Sequence, residues 1–481
     1  MTPTDPANPD IAAAIPSPVL ALLDRLHRSG HAGYVVGGSL RDVLLGRPAV
    51  DWDLATDARP DRIQALFPGS LYENAFGTVT VRADDGSAIE VTTFRSDIAY
   101  NDFRRPERVE FGSRIEDDLA RRDFTCNALA WGRAVGATEP ALIDPFGGRR
   151  DVTDRTIRAV GDPAARFAED ALRMLRAVRF AAVLGFTIEP HTLDGIGNQA
   201  SLAAHLSGER ISAELDRLLA AERPSVGLRL AMDTGLLAVV APLLALQPGV
   251  AQNKTPGEDL WDHTVRSVDA AAAADRSAVV RLAVLLHDIG KPGTAADGHF
   301  YGHETIGADL AAELLRGWHA QRDTIDRVSR LIRHHMFSYD GAWSDAAIRR
   351  FIAKVGPASL DDLFALREAD NVGSGVPADA GGLSELRSRI ADQLAADVAL
   401  DRSGLAIDGD GLLTELGLEP GPIVGRVLEE LVERVIADPS LNERGRLIVL
   451  ARGIAERSVT PSRDGGGTTD GSIGTSRSED R

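Results

Sequence analysis

Two short segments near the N-terminus constrain this chain more than any other feature. The first is Gly37-Gly38-Ser39-Leu40-Arg41-Asp42, after the apolar run Tyr34-Val35-Val36, and the second is Asp51-Trp52-Asp53. The apolar run predicts a buried strand, and the glycine pair predicts a turn into a helix whose backbone N–H groups approach a triphosphate closely. Asp51 and Asp53 would lie on one face of a strand. Such a pair suits Mg²⁺ ions that bridge a hydroxyl and a nucleoside triphosphate. Together the segments predict a site for nucleotidyl transfer.

Length and composition place this site in a large, mainly helical protein. The chain has 481 residues, so several domains are expected, and its abundant Ala, Leu and Arg favour helices. A net charge of −18 argues against indiscriminate coating of nucleic acid, although a local arginine surface can still hold an RNA. The single cysteine, Cys126, excludes an internal disulfide. Without a visible signal peptide or a membrane-length apolar stretch, the sequence predicts a cytoplasmic protein with no membrane partner.

The hydrophobic pattern divides the chain into an α/β part and a helical part. Strand patterns at 34–36, 51–55, 78–82 and 89–94 predict an α/β unit over residues 18–150, after a flexible N-terminus at 1–17. The pattern then turns helical, and residues 164–184 predict one helix. We therefore predict an α+β fold, whose remaining segments are 151–256, a second unit at 257–375, a helical C-terminal region at 376–457 and a disordered tail at 458–481.

Three further motifs offer groups that a nucleotide site needs. Glu90 could complete a metal-binding triad with the two aspartates, although an edge-strand surface glutamate is the alternative. The run Arg121-Arg122-Asp123-Phe124-Thr125 brings two arginines, whose fork suits phosphate. In Glu169-Asp170-Ala171-Leu172-Arg173, Asp170 and Arg173 are three residues apart and would be neighbours on one helix face. An ordinary helix salt bridge is the alternative for that pair.

In this order the motifs resemble those of the bacterial class II CCA-adding tRNA nucleotidyltransferases, which share a polymerase-β-like superfamily with bacterial poly(A) polymerase. The resemblance covers about residues 19–250 and includes a further turn, Asp144-Pro145-Phe146-Gly147-Gly148. It implies a polymerase-β-like nucleotidyltransferase head at 18–150 and an all-α neck at 151–256. It also implies that these residues bind the nucleotide or support its contacts: Gly37, Gly38, Ser39, Arg41, Arg122, Asp123, Asp170, Arg173, Arg176 and Arg179.

The resemblance further implies that Asp170 and Arg173 act as an amino-acid template for the incoming base. Cytosine and adenine each present an amino donor beside a ring acceptor, which fits an Asp acceptor next to an Arg donor. Uracil and guanine mispair with both groups, at about 1–3 kcal/mol for each buried polar group. The loop near Arg104 to Arg108 matches the family's flexible loop, implicated in the switch from C to A. The expected reaction adds C, C and A to tRNA lacking 3′ CCA, from CTP and ATP, with Mg²⁺ held by Asp51 and Asp53.

A second constellation of histidines and aspartates lies in the segment 257–375. His263, His287-Asp288 and Asp370 resemble the ligands of the HD phosphohydrolase family, so this segment is expected to be an HD domain. His303 and His334 could add a second metal, and Ni²⁺ or Mn²⁺ would fit these ligands. The alternative is a packing or RNA-holding module with remnant histidines.

Other functions remain open at this point. A poly(A) polymerase shares the catalytic motifs, although the acidic net charge and the lack of a strongly basic C-terminal extension argue against it. A specialist that adds only CC or only A is another possibility. From a different class, the protein could be a metal-dependent HD phosphodiesterase or phosphatase whose head only binds nucleotide, which the complete transferase motifs disfavour.

Overall fold

The computed structural model describes residues 10–72, 77–98, 108–252, 257–296, 299–396 and 398–459. Packing divides them into two units. The first contains the described residues of 1–337 and 361–380, and the second contains those of 338–360 and 381–481. None of the described helices combines the length and the apolar composition needed to cross a bilayer.

A seven-stranded mixed sheet forms the core of the N-terminal part. Its strands are β1 Gly33–Val36, β2 Asp53–Thr56, β3 Leu71–Tyr72, β4 Thr78–Arg82, β5 Ala88–Thr93, β8 Ala130–Arg133 and β9 Ala141–Ile143, in the order β3-β4-β5-β2-β1-β8-β9. A separate hairpin pairs β6 Arg95–Ile98 with β7 Arg108–Phe111. Within the large sheet β2 and β5 run parallel, and the other neighbours run antiparallel. The helices of this part are α1 Ile11–Ala14, α2 Ser17–Arg28, α3 Gly38–Leu44, α4 Pro60–Leu66, α5 Ile115–Ala120 and α6 Gly148–Thr153.

The next segment of the first unit is helical. It contains α7 Pro163–Glu169, α8 Leu172–Leu184, α9 Pro190–Gln199, α10 Gly208–Leu219, α11 Pro224–Asp233 and α12 Leu236–Val240, with two short parallel strands, β10 Thr156–Ile157 and β11 Thr187–Ile188. Beyond it lie α13 Leu260–Ala273, α14 Ala278–Leu286, α15 Lys291–Thr294, the hairpin β12 Ala295–Ala296 with β13 His299–Phe300, α16 His303–Gly317 and α17 Arg322–His334.

The remaining helices are α18 Asp345–Val355, α19 Leu360–Gly373, α20 Leu383–Ala395, α21 Gly409–Leu416, α22 Pro422–Ala437 and α23 Arg444–Val459. From Asp361 onward α19 belongs to the first unit. The other five helices build the second unit, whose core includes Leu412, Val427, Leu431 and Leu447. Residues 338–360, which we placed in the segment 257–375, therefore pack with the C-terminal unit.

Two local expectations were wrong. Part of the segment expected to be a flexible N-terminus forms α1, because the Asp10 side chain accepts a hydrogen bond from the Ala13 amide at 3.3 Å and caps the helix. The single helix expected over 164–184 is interrupted at Asp170, which has an extended backbone (φ −149°, ψ 105°). Its Oδ1 accepts a hydrogen bond from the Leu172 amide at 3.0 Å at the start of α8.

Two other expectations fall largely outside the described residues. Arg104 and Arg105 of the expected flexible loop belong to the undescribed range 99–107. Of the expected tail, only residues 458 and 459, which end α23, are described.

Candidate active site and metal centre

The turn at Gly37-Gly38, called the glycine turn below, and the predicted carboxylates lie at the ends of neighbouring strands of the large sheet. Val36 at the end of β1 pairs with Asp53 at the start of β2, and Asp53 pairs with Glu90 of β5. Neighbouring strands are about 4.8 Å apart, so Val36, Asp53 and Glu90 are successive neighbours, and Gly37 directly follows Val36. Asp51 precedes β2 and lines the same open cavity as Asp53 and Glu90. The structure thus brings Glu90 to the aspartate pair, and its catalytic role stays a prediction.

The electrostatics of this edge suit a divalent cation. Desolvation, followed by the charges of Glu90 and Asp51, raises the pKa of Asp53 to about 6, although Arg122 opposes the shift. Carboxylates that repel each other are stabilised by a shared positive charge, and oxygen ligands of this kind are those that Mg²⁺ prefers. Asp51, Asp53 and Glu90 therefore fit a divalent metal.

Gly37 brings the backbone directly against Arg122. Its φ of +82° is in the left-handed region that favours glycine, and a Cβ on it would lie 2.8 Å from Nη1 of Arg122. Arg122 donates to the Asn127 carbonyl and to Asp118 Oδ2, both at 3.4 Å. Its buried Nε has no hydrogen-bond partner among the described residues. This guanidinium lies beside the turn, where its charge suits a phosphate.

Two residues predicted to contact the nucleotide, Arg41 and Ser39, stabilise the turn at Gly37-Gly38 through hydrogen bonds within the protein. Arg41 is buried, and its Nη1 donates to Asn127 Oδ1 at 2.7 Å while Nε and Nη2 donate to Asp42 at 3.0 Å. The hydroxyl of Ser39 donates to the Val36 carbonyl at 3.4 Å. These side chains hold the turn in place, because their partners lie within the protein.

A buried carboxylate that the sequence analysis missed positions two arginines. Asp118 is 1% exposed and accepts from Arg121 at 2.6 Å and from Arg122 at 3.4 Å. Burial opposes ionisation, yet the two guanidinium groups hold the pKa of Asp118 below its usual value. Its spacing of three and four residues from the arginines was the available signal, because such residues are neighbours on a helical turn.

The buried Asp123 forms a second ion pair with the half-buried Arg176. Asp123 Oδ2 accepts from Arg176 Nε at 2.7 Å, and Oδ1 accepts from the Phe124 amide at 2.8 Å. Burial again opposes ionisation, but Arg176 holds the pKa of Asp123 below its usual value. The pair ties α8 of the helical segment to the loop after α5, close to the glycine turn.

The two residues expected to read the base are each held by another side chain. Both carboxylate oxygens of Asp170 accept from Nη2 of Arg210, at 3.0 and 2.7 Å. Arg173 donates from Nη1 to Glu169 Oε2 at 2.6 Å and from Nη2 to the Arg121 carbonyl at 2.9 Å. Arg210 lies 40 residues from Asp170 on α10, so no local spacing could reveal it.

A second residue of α10 holds the other arginines of α8. The buried Glu214 accepts from Arg179 Nε at 2.5 Å, and its Oε1 is 4.0 Å from Arg176 Nη1. The Arg179 guanidinium also lies 4.0 Å from the centre of the Phe180 ring. Helix α10 therefore contacts Asp170, just before α8, through Arg210, and Arg179 of α8 through Glu214. We predicted neither of these two residues of α10.

The second constellation converges on a buried cluster at Asp288. His263 Nε2 lies 3.2 Å from Asp370 Oδ1 and 3.5 Å from Asp288 Oδ2, and His287 Nε2 lies 3.2 Å from Asp288 Oδ2. All four side chains are nearly inaccessible to solvent. The predicted ligands His263, His287, Asp288 and Asp370 are thus brought together.

The opposite oxygen of Asp288 meets two more histidines. Oδ1 lies 3.3 Å from His303 Nε2 and 3.7 Å from His335 Nε2. The second histidine is therefore His335, rather than the predicted His334. His335 is buried at the end of α17, whereas its neighbour His334 is half-buried and is not part of this group. Adjacent helical residues point about 100° apart, so only one of them can face Asp288.

The hydrogen bonds of these rings show what the cluster requires. The Nδ1 atoms of His287, His303 and His335 lie 2.6–2.7 Å from the backbone carbonyl three residues earlier. A carbonyl only accepts, so each Nδ1 carries a proton, and the Nε2 atoms of all three rings lie towards Asp288. Burial also lowers the pKa of His287, which keeps its ring neutral. Imidazole nitrogens and carboxylate oxygens that converge in this way are common metal ligands, and a divalent metal fits this donor set.

Comparison with known proteins agrees with this arrangement. Three family profiles match the chain, described as "Poly A polymerase head domain" over residues 33–158, "Probable RNA and SrmB- binding site of polymerase A" over 185–247, and "HD domain" over 260–375. The CCA-adding enzyme of Geobacillus thermodenitrificans is 34% identical over 447 residues, which cover 92% of this chain and 98% of that protein. The chain belongs to the CCA-adding enzyme family. The CCA-adding enzyme of Lacticaseibacillus paracasei is 32% identical over 93% of this chain and 97% of its own length.

Solved structures of CCA-adding enzymes share the fold. The Bacillus stearothermophilus CCA-adding enzyme in complex with CTP has a TM-score of 0.67 at 29% identity, and the alignment covers 92% of this chain and 98% of that one. The Thermotoga maritima CCA-adding enzyme complexed with tRNA has a TM-score of 0.55 at 19% identity, covering 92% and 97%, which supports the fold alone. The predicted fold class and family are confirmed, and these relatives favour the CCA-adding function over the poly(A) polymerase alternative. Head and HD domains of these families generally use divalent metals.

Proposed function

We propose that this protein adds C, C and A to the 3′ end of tRNA lacking a complete CCA, using CTP and ATP. The observation that carries the proposal is the row formed by the glycine turn, Asp53 and Glu90, with Asp51 in the same cavity. Full-length similarity to CCA-adding enzymes, including one solved with CTP, supports the same substrates.

In the proposed reaction the 3′-oxygen of the tRNA forms a bond to the α-phosphorus of the nucleotide. The bond from that phosphorus to the bridging oxygen breaks, pyrophosphate leaves, and the hydroxyl proton passes to water. Asp51, Asp53 and Glu90 would hold Mg²⁺, which activates the hydroxyl and neutralises the charge on the phosphates. Arg122, beside Gly37, would bind the triphosphate through its guanidinium.

Base selection is assigned to Asp170 and Arg173. Their side chains are already fixed by Arg210 and Glu169, so an acceptor and a donor are presented in constant positions to the incoming base. Positions held before the base arrives reduce the ordering cost of recognition. The pair accepts the amino group of cytosine or adenine and mispairs with uracil and guanine.

The test is incubation of the purified protein with tRNA lacking CCA, with each nucleotide alone and with CTP and ATP together. Sequencing of the 3′ ends distinguishes CCA addition from CC addition, A addition and poly(A) synthesis. The double variant Asp51→Ala with Asp53→Ala should abolish incorporation, whereas His287→Ala should retain it. Incorporation by the double aspartate variant would contradict the proposal.

We infer a second activity, metal-dependent hydrolysis of a phosphoester, from the cluster at Asp288. Three imidazole Nε2 atoms facing one carboxylate favour a transition metal such as Ni²⁺ or Mn²⁺. Lys291, buried with its Nζ 2.6 Å from Asp288 Oδ2, is the cation nearest to the cluster that could bind a phosphate. Conversion of 2′,3′-cyclic nucleotides to nucleoside 2′- or 3′-monophosphates by wild type, and its loss in His287→Ala, would support this activity. Equal conversion by both would refute it.

A cytoplasmic location remains a proposal. It rests on the single cysteine, which fits a reducing compartment, and on the tRNA substrate proposed above.

A further inference from the structure

A buried amide lies next to the cluster at Asp288 with one of its two polar atoms unpaired. Gln252 is 9% exposed, and its Oε1 accepts a hydrogen bond from Nζ of Lys291 at 3.4 Å. Because a lysine ammonium group only donates, this contact determines which amide atom faces it. The other atom, Nε2, is buried and has no hydrogen-bond partner among the described residues. A buried donor without a partner costs free energy, which an acceptor on a bound ligand would recover.

Backbone contacts explain why Gln252 reaches the cluster although it lies outside the segment 260–375 that matches the HD profile. The Val250 carbonyl accepts from the Leu260 amide at 2.9 Å. Leu260 begins α13, which carries the predicted metal ligand His263 three residues later. The segment before α13 is therefore fastened to the start of that helix, and Gln252 is brought to Lys291.

The neighbouring cation is held in a fixed position. Lys291 is buried, with its Nζ 2.6 Å from Asp288 Oδ2 and 5.5 Å from the centre of the Phe300 ring. A carboxylate, an amide oxygen and an aromatic face thus surround the ammonium group. Because the two polar atoms of Gln252 belong to one planar amide, its free Nε2 lies close to this charge. Two N–H donors, one of them charged, are therefore adjacent beside Asp288.

The charges of the cluster indicate which ligand suits these donors. Asp288 is paired with Lys291, and Asp370 Oδ2 accepts from Arg367 Nη1 at 3.2 Å. A divalent cation held by these ligands would therefore add positive charge to carboxylates that already have cationic partners. A bound anion neutralises such charge, and phosphate oxygens accept hydrogen bonds from both kinds of donor.

We propose that Nε2 of Gln252 donates a hydrogen bond to a phosphate oxygen of the substrate at the Asp288 cluster, next to Lys291. The proposal rests on the second activity proposed above, the hydrolysis of a phosphoester. Gln252 is then a substrate-binding residue that the chain supplies from outside the HD domain. Phosphate binding should also require the metal, because the metal provides the charge that the anion neutralises.

The first test measures the binding of inorganic phosphate to the Mn²⁺-loaded full chain by isothermal titration calorimetry. Gln252→Leu removes both polar atoms with little change in size, and we expect the Kd for phosphate to rise about tenfold or more. The Mn²⁺ bound per protein, measured by elemental analysis, should stay at the wild-type value. A loss of Mn²⁺ in this variant would assign Gln252 to the support of the metal site and overturn the proposal.

Gln247→Leu is the matched control. Gln247 belongs to the same segment before α13, is fully buried and also has an amide without a partner among the described residues. It makes no hydrogen bond to Lys291, whose Nζ contacts Asp288 and Gln252. This variant should therefore keep the Kd for phosphate within about twofold of wild type.

Gln252→Glu separates substrate binding from mere positioning of Lys291, and it keeps the test decisive if Gln252→Leu does not fold. Glutamate retains an oxygen that accepts from Lys291 but replaces the donating Nε2 with a second oxygen. A residue that only positions Lys291 would be replaced well by glutamate. We expect instead that the Kd for phosphate rises at least tenfold, and wild-type affinity in this variant would overturn the proposal.

The remaining outcomes distinguish this proposal from the second activity. A wild-type protein that binds no phosphate after Mn²⁺ loading, or binds it equally well after the metal is removed, would overturn the phosphate site. Hydrolysis of cyclic nucleotides by wild type, with unchanged phosphate affinity in both Gln252 variants, would overturn the role of Gln252 alone. Phosphate binding that depends on Gln252, without hydrolysis by wild type, would overturn the second activity and support the anion site.

Discussion

Replacing Gly37 with alanine should weaken nucleotide binding by displacing Arg122. The residue has a φ of +82°, and a Cβ would lie 2.8 Å from Arg122 Nη1, closer than carbon and nitrogen approach without a bond. The backbone strain costs about 1–3 kcal/mol of folding stability. The guanidinium must also move away, which removes a charge-assisted hydrogen bond of about 1.5–3 kcal/mol from the nucleotide. Since each 1.4 kcal/mol is a factor of ten, kcat/KM for CTP should fall roughly ten- to a hundredfold.

Gly46→Ala is the matched control for the backbone effect. Gly46 follows the same helix, α3, and has a φ of +68°, but no atom lies within 4 Å of the position where its Cβ would be. It should lose stability by about 1–2 kcal/mol in thermal or urea unfolding and keep CTP kinetics close to wild type.

The double variant Gly37→Ala with Arg122→Ala tests the mechanism. Without the guanidinium, the added methyl group has nothing to displace, so it should cause little further loss of kcat/KM beyond that of Arg122→Ala. Two outcomes would refute the reasoning: unchanged CTP kinetics in Gly37→Ala, or losses that add fully in the double variant.

Three further predictions follow from the site geometry. Because the pKa of Asp53 is raised to about 6, its carboxyl becomes protonated in acid. The Mg²⁺ concentration that gives half-maximal CTP incorporation should therefore rise by up to about tenfold per pH unit below pH 6 and stay constant above pH 7. A constant value down to pH 5 would argue against Asp53 as a ligand. His335→Ala should lower the metal bound per protein after Mn²⁺ loading, by elemental analysis, while His334→Ala should not, and equal loss would contradict the geometry. Arg210→Ala frees the Asp170 carboxylate to rotate, so selection of CTP over UTP in competition should weaken by about tenfold, with Arg210→Lys intermediate because lysine keeps the positive charge. An unchanged ratio would exclude a role for Arg210 in base selection.

Much of the head could be predicted from sequence because its signals are local. The apolar run before Gly37 predicted β1, and alternation predicted β4 with its bounds as found, Thr78–Arg82. The spacing of apolar residues did not predict the break between helices at Asp170. There the side chain accepts a hydrogen bond from the Leu172 amide, and a new helix begins inside a continuous helical pattern. Such a break depends on one hydrogen bond between a side chain and the backbone, and the spacing of apolar residues contains no information about that bond.

The candidate sites divide in the same way. Ligand types and their order along the chain identified Asp288 and its partners, but the choice between His334 and His335 depends on the rotation of α17 at its last residue. Arg210 and Glu214 escaped prediction because each meets its partner 35–40 residues away, through packing of α10 on α8. Contacts of that range are set by tertiary structure, for which a single sequence has no periodic signature.

The histidine nitrogens gathered around Asp288 have a consequence for how the chain folds. A metal that binds only the folded cluster shifts the folding equilibrium by mass action, by about 2.7 kcal/mol when its concentration is one hundred times the dissociation constant. Without it, the folded state keeps these buried polar groups together with no metal to coordinate them. The melting temperature of the protein should therefore rise with the concentration of the metal. The yield of folded enzyme should likewise depend on the metal content of the growth medium and on whether a chelating column removes the metal.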